Sequence, residues 1–206
     1  MIKNKPIIGL TGAPGAGKTT VARQFKKLNC AIIDADEINH QVLTRTEIIR
    51  QLLHWWGDDI LAPDGLIDRQ AVGRIVFENT QKLKMLADLV HPLIAERAKE
   101  LIEFYQGDSQ TLGVLLDIPL LFEAGYDRWC DFVVFVAADE KIRQNRLLRS
   151  RGWETKKRKK IENLQLSLDI KAKKADFIVH NNSSIQDLAQ QIEKIFNELL
   201  NGWKSQ

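Results

Sequence analysis

A glycine-rich run lies between a strand-like and a helical segment near the start of this chain. It spans residues 12–19 and reads Gly-Ala-Pro-Gly-Ala-Gly-Lys-Thr, which matches the pattern G-x-x-x-x-G-K-T. Residues 6–11 before it form a short apolar run, and residues 18–28 after it place apolar side chains on one helical face. The order strand, glycine loop, helix separates a phosphate-binding loop from an ordinary turn. The run therefore predicts a site for a nucleoside triphosphate with Mg²⁺.

The residue types of this loop suit an anion. Gly15 and Gly17 let backbone N–H groups turn toward phosphate oxygens with no Cβ in the way. The helix that begins near Lys18 directs its unpaired N–H groups and its positive dipole end at the same phosphates. Lys18 adds a full charge at the β- and γ-phosphates, and the Thr19 hydroxyl is the expected Mg²⁺ ligand. The predicted ATP-binding residues here are Gly12, Gly15, Ala16, Gly17, Lys18, Thr19 and Thr20.

Short apolar runs alternate with helical segments, which is typical of a parallel sheet covered on both faces. The predicted strands are residues 6–11, 30–34, 112–117, 131–136 and 177–180. Residues 44–106 contain no convincing strand. Their predicted helices include residues 69–77, 81–89 and 91–105, with a turn at 62–65.

These elements predict an α/β fold: a P-loop NTPase core with a five-stranded parallel sheet flanked by helices, a helical substrate-binding insertion and a helical lid. The predicted domains are a core of residues 1–40, 107–140 and 175–206, an insertion of residues 41–106, and a lid of residues 141–174.

Bulk composition favours a globular protein of the cytoplasm. The chain has 206 residues, of which 44% are hydrophobic, and no apolar run approaches the ~20 residues of a membrane helix. The first residues lack the features of a signal peptide. Cys30 and Cys130 each lie beside a predicted strand, so buried free thiols are expected, with a disulfide as the minor alternative.

The net charge of +3 hides one strongly basic segment. Residues 141–174 contain 13 Lys or Arg and 3 Asp or Glu, a net charge of +10. Most of the basic run at 156–160 is interpreted as a solvated face, and no nucleic-acid-binding motif accompanies the segment. Arg146 is different, because phosphoryl-transfer enzymes need a cation that arrives as the site closes. A mobile lid would supply Arg146 and exclude water.

Acidic residues follow two of the predicted strands. Asp34 and Asp36 come after the second strand, where either one could instead cap the following helix. We take Asp36 as the catalytic base that accepts the proton of the acceptor hydroxyl. Asp34 is assigned a structural or metal-associated role. Asp117 ends the third strand, where it could reach Mg²⁺ through water.

Apolar residues after Asp117 suggest a wall for an organic substrate. The run 119–122 reads Pro-Leu-Leu-Phe and cannot bind phosphate. It would form either this wall or part of the core. His40 and His91 have no metal-ligand spacing, so capping or packing is the alternative to a substrate contact.

Together these pieces resemble the dephospho-coenzyme A kinase family over about residues 7–188. The phosphate loop alone is widely shared among enzymes. More discriminating are Asp-Ala-Asp at 34–36 and Asp-Ile-Pro-Leu-Leu-Phe-Glu-Ala-Gly at 117–125. Further matching pieces are residues 65–69, 91–94 and 144–147, with Gln165, Lys171, Ala175, Asp176 and Asn181.

The resemblance implies ATP-dependent phosphorylation of the ribose 3′-hydroxyl of dephospho-CoA, with Mg²⁺ as cofactor. It implies Asp36 as base, Lys18 and Thr19 at the phosphates and Mg²⁺, and Arg146 as lid cation. Asn181 joins the predicted ATP-binding set. The residues expected around dephospho-CoA are Asp36, His40, His91, Arg97, Pro119, Leu120 and Phe122.

The sequence departs from the family pattern at two places. The loop commonly ends in Ser, and Thr19 keeps the hydroxyl that Mg²⁺ binding needs. A second arginine usually lies four residues after the one matched by Arg146. That position is Ser150 here, flanked by Arg149 and Arg151, so either could take the second role.

Two other functions use the same loop. A kinase for another small metabolite or a nucleoside would keep Asp36 and the lid but need a different acceptor pocket. A nucleotide switch or nucleic-acid-binding ATPase is the second alternative, although the guanine-reading Asn-Lys-x-Asp string is absent. We expect a small-molecule substrate, no nucleic-acid or membrane partner, and a monomer or small homo-oligomer.

Overall fold

The sheet of the computed structural model is parallel throughout. The structure describes residues 4–77, 79–118, 120–151 and 165–204. The strands are β1 Ile7–Gly12, β2 Cys30–Asp34, β3 Gly113–Asp117, β4 Phe132–Ala137 and β5 Phe177–His180. Their order is β2-β3-β1-β4-β5, and all four neighbouring pairs are parallel. The predicted α/β fold with a five-stranded parallel sheet is confirmed.

Helices connect these strands in the described part of the chain. They are α1 Lys18–Lys27, α2 Ala35–Leu43, α3 Thr46–Trp56, α4 Arg69–Phe77, α5 Thr80–Gly107, α6 Glu140–Arg151, α7 Leu168–Lys174 and α8 Ile185–Lys204. Short 3₁₀ turns span Asp58–Ile60 and Tyr126–Trp129. No described helix is both long enough and apolar enough to span a membrane.

The main core lies between the sheet, α1 and α8. Leu10 and Val134 of the sheet are fully buried, as are Phe25 of α1 and Ile192 of α8. The rings of Phe25 and Phe196 meet edge to face with centroids 6.0 Å apart, a favoured aromatic geometry. Packing of α1 against the sheet fixes where the phosphate loop leaves β1.

Helix α5 corrects the prediction of two helices that break before Pro92. One helix of 28 residues runs through this proline. Pro92 donates no backbone hydrogen bond, which costs about 3 kcal/mol in a helix interior. Four buried apolar residues continue the same helical stripe on both sides of it: Val90, Ile94, Ala98 and Ile102. Their burial, at roughly 1.5–3 kcal/mol for each large side chain, outweighs the local loss.

The chain forms two compact units. The first contains Met1–Asp34 and Ile102–Gln206, and the second contains Ala35–Leu101. The first unit holds the sheet, and the second holds α2, α3, α4 and most of α5. The assignment of residues 41–106 to substrate binding and of residues 141–174 to a lid stays a prediction. Residues 152–164 of that predicted lid lie outside the described residues.

The cysteines are free thiols. Cys30 is buried at the start of β2, whereas Cys130 is only half-buried. The expectation of free thiols is confirmed, and full burial is confirmed for Cys30 alone. Burial raises the pKa of the Cys30 thiol to about 12.

Candidate active site

The phosphate loop joins β1 to the start of α1. Gly17 is the N-cap residue and adopts the left-handed conformation, with φ of 93°. It has no side chain that could occupy the N–H groups of the first helical turn. In the residue before Gly17, the Ala16 N–H donates to the Ala13 carbonyl at 3.1 Å. This geometry leads the chain directly into a helix whose positive end favours an anion.

Two loop glycines are required by close neighbours. A Cβ on Gly15 would lie 2.7 Å from the Arg143 carbonyl oxygen and 2.9 Å from Leu147 Cγ. A Cβ on Gly17 would collide with Asn181 Nδ2. Both residues also have positive φ values that strain other side chains. The first part of α6 and the segment after β5 therefore pack directly against the loop.

Lys18, Thr19 and Thr20 lie in the first turn of α1. The Lys18 ammonium donates to the Gly12 carbonyl at 3.1 Å, so it folds back over the loop. Thr19 is exposed, and Thr20 is half-buried. The lysine and the Thr19 hydroxyl thus both belong to the turn that the motif assigns to phosphate and Mg²⁺.

Arg146 and Asn181 converge on the carbonyl oxygen of Ala16. Asn181 is buried, and its Nδ2 donates to this oxygen at 2.7 Å. Arg146 Nη1 donates to the same oxygen at 3.2 Å, and Nη2 donates to the Asn181 carbonyl at 3.0 Å. The guanidinium therefore lies at the phosphate loop. Sequence reasoning did not predict that the Asn181 amide would support the loop backbone, since no local pattern signals a contact between residues so far apart.

The other candidate arginines remain undecided. Arg149 is exposed on α6. The side chain of Arg151 lies outside the described residues. A second lid role for one of these two arginines stays a prediction.

Asp34 and Asp117 lie side by side at the carboxyl end of the sheet. They are register partners between β2 and β3, and Asp117 is also level with Leu10 of β1. Asp117 is buried, and Asp34 is exposed. Their carboxylates and the Thr19 hydroxyl are hard oxygen ligands, which fit Mg²⁺. No group of three or more His, Cys, Asp or Glu residues in the described ranges could hold a metal, and Mg²⁺ with a bound phosphate usually needs only one or two protein ligands.

Four predicted acceptor residues belong to the second unit. Asp36 is exposed in the first turn of α2, and His40 is exposed in its last turn. His91 is exposed on α5. Arg97 on the same helix donates to Glu100 Oε2 at 2.8 Å. Their roles stay predictions.

The predicted acceptor wall follows β3 in the first unit. Leu120 is 37% exposed, whereas Phe122 is 9% exposed. The Lys174 ammonium lies 4.8 Å from the centroid of the Phe122 ring, within cation–π range. Pro119 lies outside the described residues. Leu120 is thus more accessible than Phe122 to a ligand.

Glu123 and Lys171 form an ion pair that was not predicted from the sequence, and the Glu123 side chain is 17% exposed. Lys171 Nζ lies 2.8 Å from Glu123 Oε1, and the lysine side chain is fully buried. A lysine in a basic helix is usually solvated, so only the resemblance drew attention to this position.

The family of this chain follows from its match to a protein-family model. The model described as dephospho-CoA kinase matches residues 6–187, which is most of the chain.

The chain belongs to the dephospho-CoA kinase family.

Relatives in sequence and structure agree with this. The dephospho-CoA kinase of Fusobacterium nucleatum is 34% identical over 188 residues, covering 91% of this chain and 95% of the relative. That of Carboxydothermus hydrogenoformans is 37% identical over 202 residues, covering 97% and 95%. A solved dephospho-CoA kinase from Campylobacter jejuni has a TM-score of 0.72 and 26% identity, covering 96% of this chain and 98% of that one.

Dephospho-CoA kinases use ATP to phosphorylate the ribose 3′-hydroxyl of dephospho-CoA, which is the final step of coenzyme A biosynthesis. This chain is an enzyme of that family, with a small-molecule acceptor and ATP as donor. The roles of the phosphate loop, Lys18 and Arg146 in binding this donor stay predictions.

Proposed function

We propose that this dephospho-CoA kinase divides phosphoryl transfer between a phosphate-binding set and a base. The phosphate-binding set is the loop of residues 12–19 with Arg146, and the base is Asp36. The observation that carries this proposal is the convergence of Arg146 and Asn181 on the Ala16 carbonyl, immediately before Gly17 and Lys18. This contact places Arg146, the proposed lid cation, beside the turn that would hold the β- and γ-phosphates.

ATP binds through the loop backbone and the start of α1. Backbone N–H groups of residues 15–20 bind phosphate oxygens, and Lys18 exchanges its Gly12 carbonyl contact for them. Asn181 acts by keeping the loop in shape, because its side-chain amide donates to Ala16. Arg146 offsets the negative charge that develops in the transition state.

Mg²⁺ would be held by the Thr19 hydroxyl, with Asp34 and Asp117 available through water. When bound, it supplies positive charge to the β- and γ-phosphates and fixes their orientation. Equilibrium dialysis with Mn²⁺ as a probe would test this set without any turnover: Thr19→Val should weaken nucleotide-dependent Mn²⁺ binding.

Asp36 accepts the proton of the 3′-hydroxyl. Helix α2 begins at Ala35, so Asp34 precedes the helix and Asp36 lies within its first turn. A carboxylate in this place, one residue into the helix that follows β2, is the group proposed to take up the proton. The acceptor is held by His40, His91, Arg97, Pro119, Leu120 and Phe122.

A panel of acceptors tests the substrate. The purified chain is given ATP and Mg²⁺ with dephospho-CoA, adenosine, other nucleosides or shikimate in turn, and ADP release is followed. We expect ADP release with dephospho-CoA and only background without an acceptor. Phosphorylation of another acceptor in place of dephospho-CoA would overturn the proposal.

Location and assembly are further expectations. We propose a cytoplasmic enzyme that acts as a monomer or small homo-oligomer, without nucleic acid as partner. Cell fractionation, sedimentation and RNA titration at rising salt would test these three points, since a polyanion-binding protein shows a steep salt dependence.

A further inference from the structure

Lys171 places an ammonium group where no water reaches it. Its side chain is fully buried in α7. Nζ lies 2.8 Å from Glu123 Oε1 and donates to Gln165 Oε1 at 3.1 Å. Burial of a charge is costly and rarely stabilises more than an apolar residue of the same size. The burial of the Lys171 charge beside Glu123 therefore points to a role besides stability.

Glu123 connects two parts of the chain through one oxygen. Its Oε1 pairs with Lys171 Nζ and also accepts a hydrogen bond from the backbone N–H of Leu166 at 2.8 Å. Its Oε2 is buried and accepts no hydrogen bond within the described ranges. The carboxylate thus holds both a backbone group and a side chain of the short stretch 166–171.

The neighbouring residue makes a second link between the same two segments. Phe122 precedes Glu123, and its ring contacts the Lys174 ammonium. The loop after β3 is therefore fixed to the stretch 165–174 at two successive residues. Helix α7 within this stretch also packs against β1 and β4, so the loop is tied to a helix that the sheet itself supports.

These contacts lie at the C-terminal end of the predicted lid. Helix α6, which carries Arg146, lies at the start of the predicted lid of residues 141–174, and α7 lies at its end. The loop bound by α7 begins directly after Asp117 and contains Leu120 and Phe122 of the proposed acceptor wall. One ion pair therefore joins the C-terminal end of the predicted lid to the loop of the proposed acceptor wall.

We propose that Glu123 and Lys171 are positioning residues that hold the proposed acceptor wall against α7, at the C-terminal end of the predicted lid. In this proposal they act through the loop and not by contact with a substrate. The pair sets the position of the loop through Leu166 and Lys171, and the loop in turn presents Leu120 and Phe122 to dephospho-CoA. This inference rests on the proposed placement of the acceptor along that loop.

Stability and positioning can be separated with paired substitutions. Removal of one partner leaves a buried charge and destabilises the fold strongly, whereas removal of both charges is far less costly. The variants are Lys171→Met, Glu123→Gln, and the double variant. The amide introduced by Glu123→Gln would keep an acceptor for the Leu166 N–H, and the thioether introduced by Lys171→Met would fill the volume of the lysine stem. Lys173→Met is the matched control, because Lys173 is exposed on the same helix.

Thermal unfolding and steady-state kinetics of the full chain are measured together. We expect Lys171→Met to lower Tm and the double variant to recover most of the loss. In both, KM for dephospho-CoA should rise about tenfold, the effect expected when a charge-assisted hydrogen bond no longer fixes a binding surface. KM for ATP should stay within about twofold of the wild-type value, and Lys173→Met should change neither constant.

Recovery of the dephospho-CoA KM together with Tm in the double variant would overturn the inference, because the pair would then be structural only. An equal rise in KM for ATP would overturn it as well. A wild-type chain that does not phosphorylate dephospho-CoA would overturn the proposed function and this inference with it. Normal wild-type kinetics with unchanged variants would overturn the inference alone.

Discussion

At the level of single residues, the Ala16 carbonyl oxygen is where distant side chains support the phosphate loop. It accepts hydrogen bonds from Asn181 and from Arg146, which lie far along the chain. The Ala16 N–H donates to the Ala13 carbonyl and closes a turn. The motif predicts the loop from local sequence, but these supporting side chains come from α6 and from the end of β5. Their convergence depends on the order of strands in the sheet, which no local pattern encodes.

Arg146→Ala tests the role of the guanidinium. We expect kcat to fall by roughly 10³, because a cation at the transferring phosphoryl group acts chiefly in the transition state. KM for dephospho-CoA should change much less. Lys141→Ala is the control on the same helix, since Lys141 is exposed. An unchanged kcat would remove Arg146 from the catalytic set.

Asp36→Asn tests the base. The amide keeps the size of the side chain but cannot take a proton, so kcat should fall by roughly 10²–10⁴. Binding of ATP, measured by calorimetry without acceptor, should be preserved. Loss of ATP binding instead would assign Asp36 to structure or to metal binding. Glu37→Gln is the neighbouring control, because Glu37 is exposed in the same turn and is given no role.

At the scale of elements, the sequence predicted regular strands and short helices well. The bounds of β2, α4 and β5 agree with the structure residue for residue. Each is short and bordered by turn residues or charges, so the local pattern is decisive. Helix α5 was not predicted as one element, because the local effect of Pro92 is visible in the sequence while the buried stripe that overrides it is a tertiary feature.

Helix α7 shows the same limit for the candidate site. Its basic composition indicates a solvated helix, yet Lys171 is fully buried. Only the fold reveals that Glu123, nearly fifty residues earlier, supplies the opposite charge. The placement of Asp34 and Asp117 at the same edge of the sheet could be predicted from the sequence, because the carboxyl ends of parallel strands meet there.

The start of β2 carries a prediction about thiol chemistry. The thiolate is the reactive form, and with a pKa raised to about 12 only about one Cys30 in 10⁴ is ionised at pH 8. In a Cys130→Ser variant, the folded protein should therefore react very slowly with a thiol reagent such as DTNB. Reactivity should rise with pH toward 12, and one equivalent should react at once in denaturant. Rapid reaction of the folded variant at pH 8 would show that Cys30 is neither buried nor protonated.

At the scale of the whole molecule, the two units carry different parts of the proposed reaction. The first unit contains the phosphate loop, Arg146, Asn181, Asp117 and the wall after β3. The second contains Asp36, His40, His91 and Arg97. The basic charge is concentrated in residues 141–174, and the rest of the chain is acidic overall. This distribution fits a local role at phosphate groups rather than general binding to a polyanion.

The reaction of this chain is transfer of a phosphoryl group from ATP to the ribose 3′-hydroxyl of dephospho-CoA. The most direct measurement is mass spectrometry and ³¹P NMR of the product formed from ATP, Mg²⁺ and dephospho-CoA. We expect coenzyme A with a new 3′-phosphate, formed in equal amount to ADP and strongly reduced in Asp36→Asn. ATP consumption without a phosphorylated acceptor, or phosphate on another position, would contradict it.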